Sequence, residues 1–413
     1  MKNFERRLPV KFFSMLPAAV LLFNASGFSE AKAHNLETQI ETSSIFTYAS
    51  DDSSSQVKPN GLQRSSDSLD YQNNTSNSGE RQKVVLTSAR GCFGVNGPFF
   101  DVEFLYLRAV EDSLKYAWKG SQSSDNNPNN GPTNVNAKQL DQDWEFDPGF
   151  RVGLGYNFDY DDWDLHTYYT WLYSYPKTSA SVPSEDLTAD NTQFIVGLFG
   201  SHPFTNNGST TFELFQKGRS NWQLQFNSWD LDLGRNYYVS KRLALQPVAG
   251  LKAALIRQHL AAHYSKPVNP NQGNDPFQSM SVREKSRYWG VGPKLGVFGS
   301  WELGYGFSIN ADVHGALVYG ESTTRLIQKG VRNNGDLLNL RLSDESYRLR
   351  PMAYLNLGLE WGDCFWDWMY FSLHLGWETQ YWWNQMNFVS FNDTTPEGDL
   401  SLTGLNAGIR FDF

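Results

Sequence analysis

The chain has 413 residues, with 44 acidic side chains against 35 basic ones and a formal net charge of −9, which gives no reason to expect a nucleic-acid partner. Aromatic residues reach 15% and charged residues only 19%, mean hydropathy is −0.51, and no apolar run attains the ~18–20 residues that a spanning helix needs. A helical multispan protein is thereby excluded, leaving a soluble β-rich protein or a membrane barrel, whose strands are only half apolar.

The first segment reads as an export signal. Lys2, Arg6, Arg7 and Lys11 precede an apolar stretch from Phe12 to Phe23, and Ala31 and Ala33 supply the small residues of a cleavage site, giving a signal peptide over 1–33. A membrane anchor is the competing reading, but the stretch is too short to span and contains Pro17. Removal of 1–33 takes five basic and two acidic side chains with it, so the mature charge is 30 minus 42, or −12. Residues 34–91 are rich in Ser, Asn, Asp, Gln and Thr without periodicity. Such a composition cannot bury enough apolar surface to offset its ordering entropy and reads as a flexible periplasmic arm, followed by a barrel over 92–413.

From Pro98 onward the pattern has a period of two, which puts successive side chains on opposite faces of a strand. Phe150, Val152, Leu154, Tyr156 and Phe158 alternate with Arg151, Gly153, Gly155 and Asn157. The run from Leu349 to Trp361 keeps its alternation over a length that crosses a bilayer at barrel tilt, about 9–11 residues. Similar runs cover 307–319, 369–377 and 405–413, and weaker ones 99–117, 163–174, 222–237, 243–257 and 287–302. These make ten strands, with room for two more in 175–221, so the expectation is an all-β transmembrane antiparallel β-barrel of about 10 to 12 strands. Within 222–237 the apolar set changes parity, from Trp222, Leu224 and Phe226 to Trp229, Leu231 and Leu233, which a β-bulge would explain. Residues 248–264 would also suit one face of a helix.

Short connections near 159–162, 239–242, 303–306 and 362–365 alternate with long polar ones at 119–143, 175–221, 264–286, 321–346 and 382–399. An outer-membrane barrel sorts its turns and loops in this way. A lipocalin-like soluble barrel would alternate too, with its apolar side inward. The polar face here is rich in Gly, Asn and Ser, and aromatics gather at both strand ends, Trp163 and Trp361 by the short turns, Trp289 and Tyr319 by the long loops. These features favour lipid outside and an outer-membrane location. Phe413 ends the chain in phase with the apolar face and reads as the C-terminal assembly signal for the barrel-assembly machinery.

The run Gly97-Pro98-Phe99-Phe100-Asp101-Val102-Glu103-Phe104-Leu105-Tyr106-Leu107-Arg108-Ala109, with Glu111-Asp112 and Leu114-Lys115-Tyr116-Ala117 after it, resembles the first strand of a pore-forming outer-membrane family. That family is known from Legionella major outer membrane proteins and has relatives in environmental chlamydiae. Asp230-Leu231-Asp232-Leu233-Gly234-Arg235-Asn236-Tyr237-Tyr238-Val239-Ser240 is similar to its mid-barrel segment, and Leu245-Gln246-Pro247-Val248-Ala249-Gly250-Leu251 continues it. The resemblance covers about 92–413 and implies a porin; the alternation implies a barrel alone.

The inward face is expected to carry Arg151, Lys252, Lys294, Arg348, Arg350 and Arg410, faced by acids that include Asp312, Glu360 and Glu378. Ions this numerous are not left dry and unpaired, so these residues are pore-lining candidates in a lumen that is either watered or cross-braced. Ten to twelve strands fall between the eight that leave room only for side chains and the sixteen of an aqueous channel, which predicts a narrow conduit for ions and small hydrophilic solutes. Cys92 and Cys364, the chain's two cysteines, both fall at expected periplasmic positions, where a disulfide is permitted. Barrel geometry allows that bond without requiring it, and the resemblance, to proteins of disulfide-crosslinked outer membranes, makes an intermolecular bond the alternative. His259 and His263 have the spacing of a helical zinc site but lack its glutamate. No Walker sequence or nucleophile elbow is present, so no enzyme, metal or cofactor is expected. The alternative function is a non-conducting structural or adhesin-like barrel; a barrel lipase or a soluble secreted β protein is more remote. Self-association into homo-oligomers stays open.

Overall fold

A computed structural model describes residues 97–123, 134–183, 192–199, 214–268, 277–365, 369–389 and 397–413. The expected signal peptide with Ala31 and Ala33, the polar arm and Cys92 lie outside the described residues. The strands are β1 (Gly97–Glu111), β2 (Ala117–Ser123), β3 (Asn134–Leu140), β4 (Phe146–Asn157) and β5 (Trp163–Ser174). Then come β6 (Lys177–Ser181), β7 (Thr192–Gly197), β8 (Leu214–Arg235), β9 (Tyr237–Tyr238) and β10 (Leu243–Pro267). The last five are β11 (Phe277–Gly304), β12 (Phe307–Arg332), β13 (Leu337–Phe365), β14 (Met369–Asn387) and β15 (Glu397–Asp412).

Ten of these close into an antiparallel ring in the order β1, β15, β14, β13, β12, β11, β10, β8, β5, β4 and back to β1. Closure is set at β1, where Asp101 lies opposite Arg410 of β15 on one side and Gly153 of β4 on the other. Of the other five, β2, β3, β6 and β7 decorate one rim, and β9 pairs with the start of β10 at the other, the short-turn rim. β2 pairs with β3 and β7, and β6 and β7 both lie along the first half of β8. The two extra strands allowed for in 175–221 are therefore rim elements, and the ring has ten members.

At the opposite rim the connections are tight. β11 turns into β12 through Gly304, Tyr305 and Gly306, all at positive φ, a backbone that costs glycine nothing. Asp161 and Asp162 take the same left-handed region between β4 and β5. The fourth expected turn is displaced: residues 362–365 still belong to β13, because Asp363 and Cys364 pair with Phe371 and Tyr370. Two of the five expected long loops, 264–286 and 321–346, are largely strand. β12 and β13 form one hairpin whose tip is only residues 333–336, and β10 and β11 likewise extend to Pro267 and back from Phe277.

The outward face explains both the fold and these differences. On β11, Trp289, Val291, Leu295, Val297 and Trp301 are exposed on the outside, while Lys294 between them is 2% exposed and faces in. Twelve residue steps separate the two tryptophans, roughly 30 Å at barrel tilt, which is an apolar band with its two aromatic girdles. Leu355 and Leu357 stand 42% and 58% exposed on the same belt, with Arg350 and Glu378 wholly buried inside. Hydrocarbon is the solvent that such a surface requires.

Above the band the same strands continue into water, and the two faces exchange character. On β8, Trp229, Leu231 and Leu233 point outward, whereas Trp222, Leu224 and Phe226 are fully buried inside. The pairing of β8 with β5 and β10 runs through 224–234 without a register shift. The strand carries no bulge there; the parity switch marks the place where the outer solvent changes from lipid to water. Extensions with polar outer faces carry the composition of loops for that reason, and the helical alternative for 248–264 gives way to β10.

Leu231→Lys, outward within the band, is expected to cost about 2–4 kcal/mol, whereas Gln225→Lys, outward above it, should cost under about 1 kcal/mol. Denaturant titration of the protein folded into lipid vesicles compares the two.

Candidate functional site

Inward-facing polar residues of the band surround a cavity of about 220 Å³ in the half of the lumen nearer the short turns. Its centre is Arg151 of β4. The guanidinium lies between the rings of Tyr168 of β5 and Tyr354 of β13, 5.8 and 5.7 Å from their centroids. These two strands are diametrically opposed in the ten-membered ring, so the cation and its flanking rings span the lumen. Arg151 is held by Glu103 of β1 at 2.6 Å, by Glu378 of β14 at 3.0 Å and by the Thr170 hydroxyl at 3.0 Å. Glu378 also accepts from the Tyr354 hydroxyl and the Asn406 amide.

A second cluster lies on the facing wall. Lys252 of β10 and Lys294 of β11 share Asp230 of β8 at 2.9 and 3.0 Å, and Lys294 also meets Asp232 at 2.7 Å and the Tyr168 hydroxyl. Three histidine–carboxylate pairs complete the lining: His166 with Asp101 at 2.9 Å, His314 with Asp312 at 3.4 Å and His374 with Glu103 at 3.6 Å. Arg410 and Asp412, 2.6 Å apart, sit at the short-turn end. Each of these buried ions has a partner, as the cost of burying a lone charge demands.

Above the cavity the lumen is filled with apolar side chains. Leu105, Leu107, Leu172, Trp222, Phe226 and Trp382, all with essentially no exposure, belong to one cluster to which nine of the ten ring strands contribute. Phe388, beyond the end of β14, is inserted into it. Two acids are buried above the lipid band, where β1 and β11 have passed the belt residues Tyr106 and Trp289. The Gln258 amide donates to Glu111 at 2.6 Å, and the Val389 backbone N–H donates to Glu284. Burial pushes both carboxyls up to about 8, each opposed by its hydrogen bond.

Of the residues singled out in the sequence, Arg151, Lys252, Lys294, Asp312, Glu360 and Arg410 line the cavity, and Glu378 braces it from behind. Arg350 stands apart, fully buried at the level of the apolar layer with its guanidinium 4.8 Å from the Tyr288 ring. Arg348, half-buried, faces inward one pair higher and does not line the cavity. Sequence reasoning missed Asp230, Asp232, Tyr168 and Tyr354. The two aspartates alternate with Trp229, Leu231 and Leu233, which was signal enough to place them inside. The tyrosines carry no such mark, since Tyr is equally at home in a girdle. Cys364 is disulfide-bonded in the final turn-side residues of β13, and its one potential partner in the sequence, Cys92, lies outside the described residues. Phe413 follows β15, its N–H bonded to the Pro98 carbonyl at 3.0 Å and its ring exposed on the outer face. His259 and His263 lie on the outer face of a strand, about 13 Å apart at strand rise.

The family described as Legionella pneumophila major outer membrane protein precursor matches residues 74–413. No curated protein matches. Among solved structures, the outer membrane protease OmpT from Escherichia coli is 10% identical with a TM-score of 0.36, covering 79% of this chain and 100% of that one. A major outer membrane protein from Thermus thermophilus is 11% identical with a TM-score of 0.27, covering 76% and 99%. The Pseudomonas putida toluene transporter TodX is 10% identical with a TM-score of 0.25, covering 77% and 90%.

Asp230→Asn leaves two buried lysines short of their shared counter-charge and should destabilise the barrel by about 3–5 kcal/mol. Asp161→Asn, in the exposed rim pair with Arg235, should cost at most about 1 kcal/mol; chemical denaturation in detergent distinguishes them. Glu111 and Glu284 bind protons more tightly folded than unfolded, so stability is greatest below about pH 4.5 for these groups and declines as pH rises towards their folded value near 8. Proteolysis of the loop end should therefore accelerate between these limits, and less so in the double variant Glu111→Gln/Glu284→Gln.

Proposed function

Since the chain belongs to the Legionella pneumophila major outer membrane protein family, and so resides in the outer membrane, we propose that it is a channel for passive diffusion of small ions and hydrophilic solutes. The observation that carries this reading is the charged cavity enclosed by the ring. A barrel built only as a wall has no use for so many ions in its bore, where apolar packing would be at least as stable. Among the cavity-lining residues seven are acids (Asp101, Glu103, Asp164, Asp232, Asp312, Glu360 and Asp412) and four are bases (Arg151, Lys252, Lys294 and Arg410), a difference of −3 with histidines neutral. Small cations are therefore the favoured passengers. The apolar layer above is the barrier: a constriction lined by such side chains excludes water, and flow waits on its opening.

The same layer supports the second reading, a non-conducting surface barrel, because its members meet across the lumen in the described conformation. Planar-bilayer recording separates the two. The wild type is expected to show small, intermittent, cation-preferring openings. Asp312→Asn/Glu360→Gln should reduce that preference, and Trp222→Ala/Trp382→Ala should raise the open fraction. Silence from the wild type and from the tryptophan variant alike, with heat-modifiable gel migration intact, would establish the non-conducting barrel instead.

A further inference from the structure

Positive charge is concentrated on the outer surface directly above the lipid band, on the arc formed by β10, β11 and β12. The next outward residues beyond Trp289 on β11 are Arg287, Lys285 and Arg283, and all three are exposed. β10 contributes Arg257 and β12 contributes Arg325, both exposed. Strand register sets like charges face to face: Arg257 is directly opposite Arg287, and Lys285 is directly opposite Arg325. Side chains so placed lie about 5 Å apart at Cβ, and like pairs there destabilise a sheet.

None of the five has a carboxylate of the described residues within ion-pair distance. Of the nearby acids, Glu321 accepts from the Trp289 indole at 3.2 Å and from Thr323 at 3.3 Å, and Glu345 is opposite Thr323. The local field is felt by His259, whose pKa is pushed down by burial and then by Lys285 and Arg283. A chain of net charge −9 has no general excess of cations to scatter here.

We propose that this arc is a docking site for the phosphorylated headgroup of an outer-leaflet membrane lipid. The patch is continuous with the lipid-facing band and begins one outward residue above its aromatic belt, which is headgroup depth. Guanidinium groups in cross-strand rows present forked donors matched to phosphate oxygens, and an anion between two opposed cations turns their repulsion into shared attraction. Lipid chains of the same molecule then lie against Leu251, Trp289 and Val291.

The test uses the full chain in uncharged detergent, with lipopolysaccharide as probe, intact or dephosphorylated. In detergent alone, Arg257→Gln/Lys285→Gln/Arg287→Gln/Arg325→Gln should melt above the wild type, because the like-charge pairs are gone. Intact probe should raise the melting temperature of the wild type but not of the variant, and the variant's affinity for it should be on the order of a hundredfold weaker. A control variant at the short-turn end, Lys241→Gln/Arg242→Gln, should bind as the wild type does. Equal binding of intact probe by the wild type and the quadruple variant, or equal binding of intact and dephosphorylated probe by the wild type, would overturn the proposal. Should the quadruple variant lose its heat-modifiable migration, Lys285→Gln/Arg325→Gln alone carries the same comparison, with a loss of about tenfold expected.

Discussion

Every backbone N–H and C=O inside hydrocarbon must find its partner within the protein, and the pairing of β1 with β15 is what satisfies that demand here. Without it, two open strand edges would face lipid. The joint runs from Phe99 opposite Asp412 to Glu111 opposite Leu400, and the terminal N–H of Phe413 extends it to the Pro98 carbonyl. Because the ring closes with ten strands, its bore is too wide to vanish and too narrow to stay open, and side chains from opposite walls meet within it.

What fills the bore changes with height. Within the lipid band the outer wall is apolar by necessity, and the interior is free to hold Arg151, Lys252, Lys294 and their carboxylates. Above the band the wall meets water, and stability comes from an ordinary apolar core of Trp222, Phe226, Trp382 and their neighbours inside the ring. The protein is thus organised inside-out below and right-side-out above, along strands that do not break at the boundary. A solute crossing it would encounter a charged vestibule and then an apolar barrier, a sequence of environments that couples selection to occlusion.

The band was legible in the sequence because both its faces are marked: in β4 and β13 greasy residues alternate with Gly, Asn and charges over the length of a bilayer. The inversion above it was harder to see. Gln223, Gln225 and Asn227 on the outside of β8 look like lumen-facing residues when lipid is assumed to be the only solvent, and the parity change at Trp229 then demands a bulge. Strand lengths failed for the same reason, since 321–346 holds Arg325, Lys329, Arg341 and Glu345, which suit a wet strand face as well as a loop. In the lumen, single charged residues were placed by parity, but which acid meets which base depends on ring order, and that is a property of the closed barrel rather than of any one segment. Arg350 illustrates the limit: its inward parity was plain, its separation from the cavity was not.

The hairpin of β12 and β13 climbs from Tyr319 to a tip at residues 333–336, a rise of roughly 35–40 Å at strand pitch and tilt. Gly335 turns there at positive φ, and a side chain added at it would meet open space. A change of sequence at this summit alters the surface held farthest from the membrane while leaving untouched the strand pairing within the lipid band. The architecture therefore separates the portion of the chain that must stay constant from the portion that can serve as a changeable face.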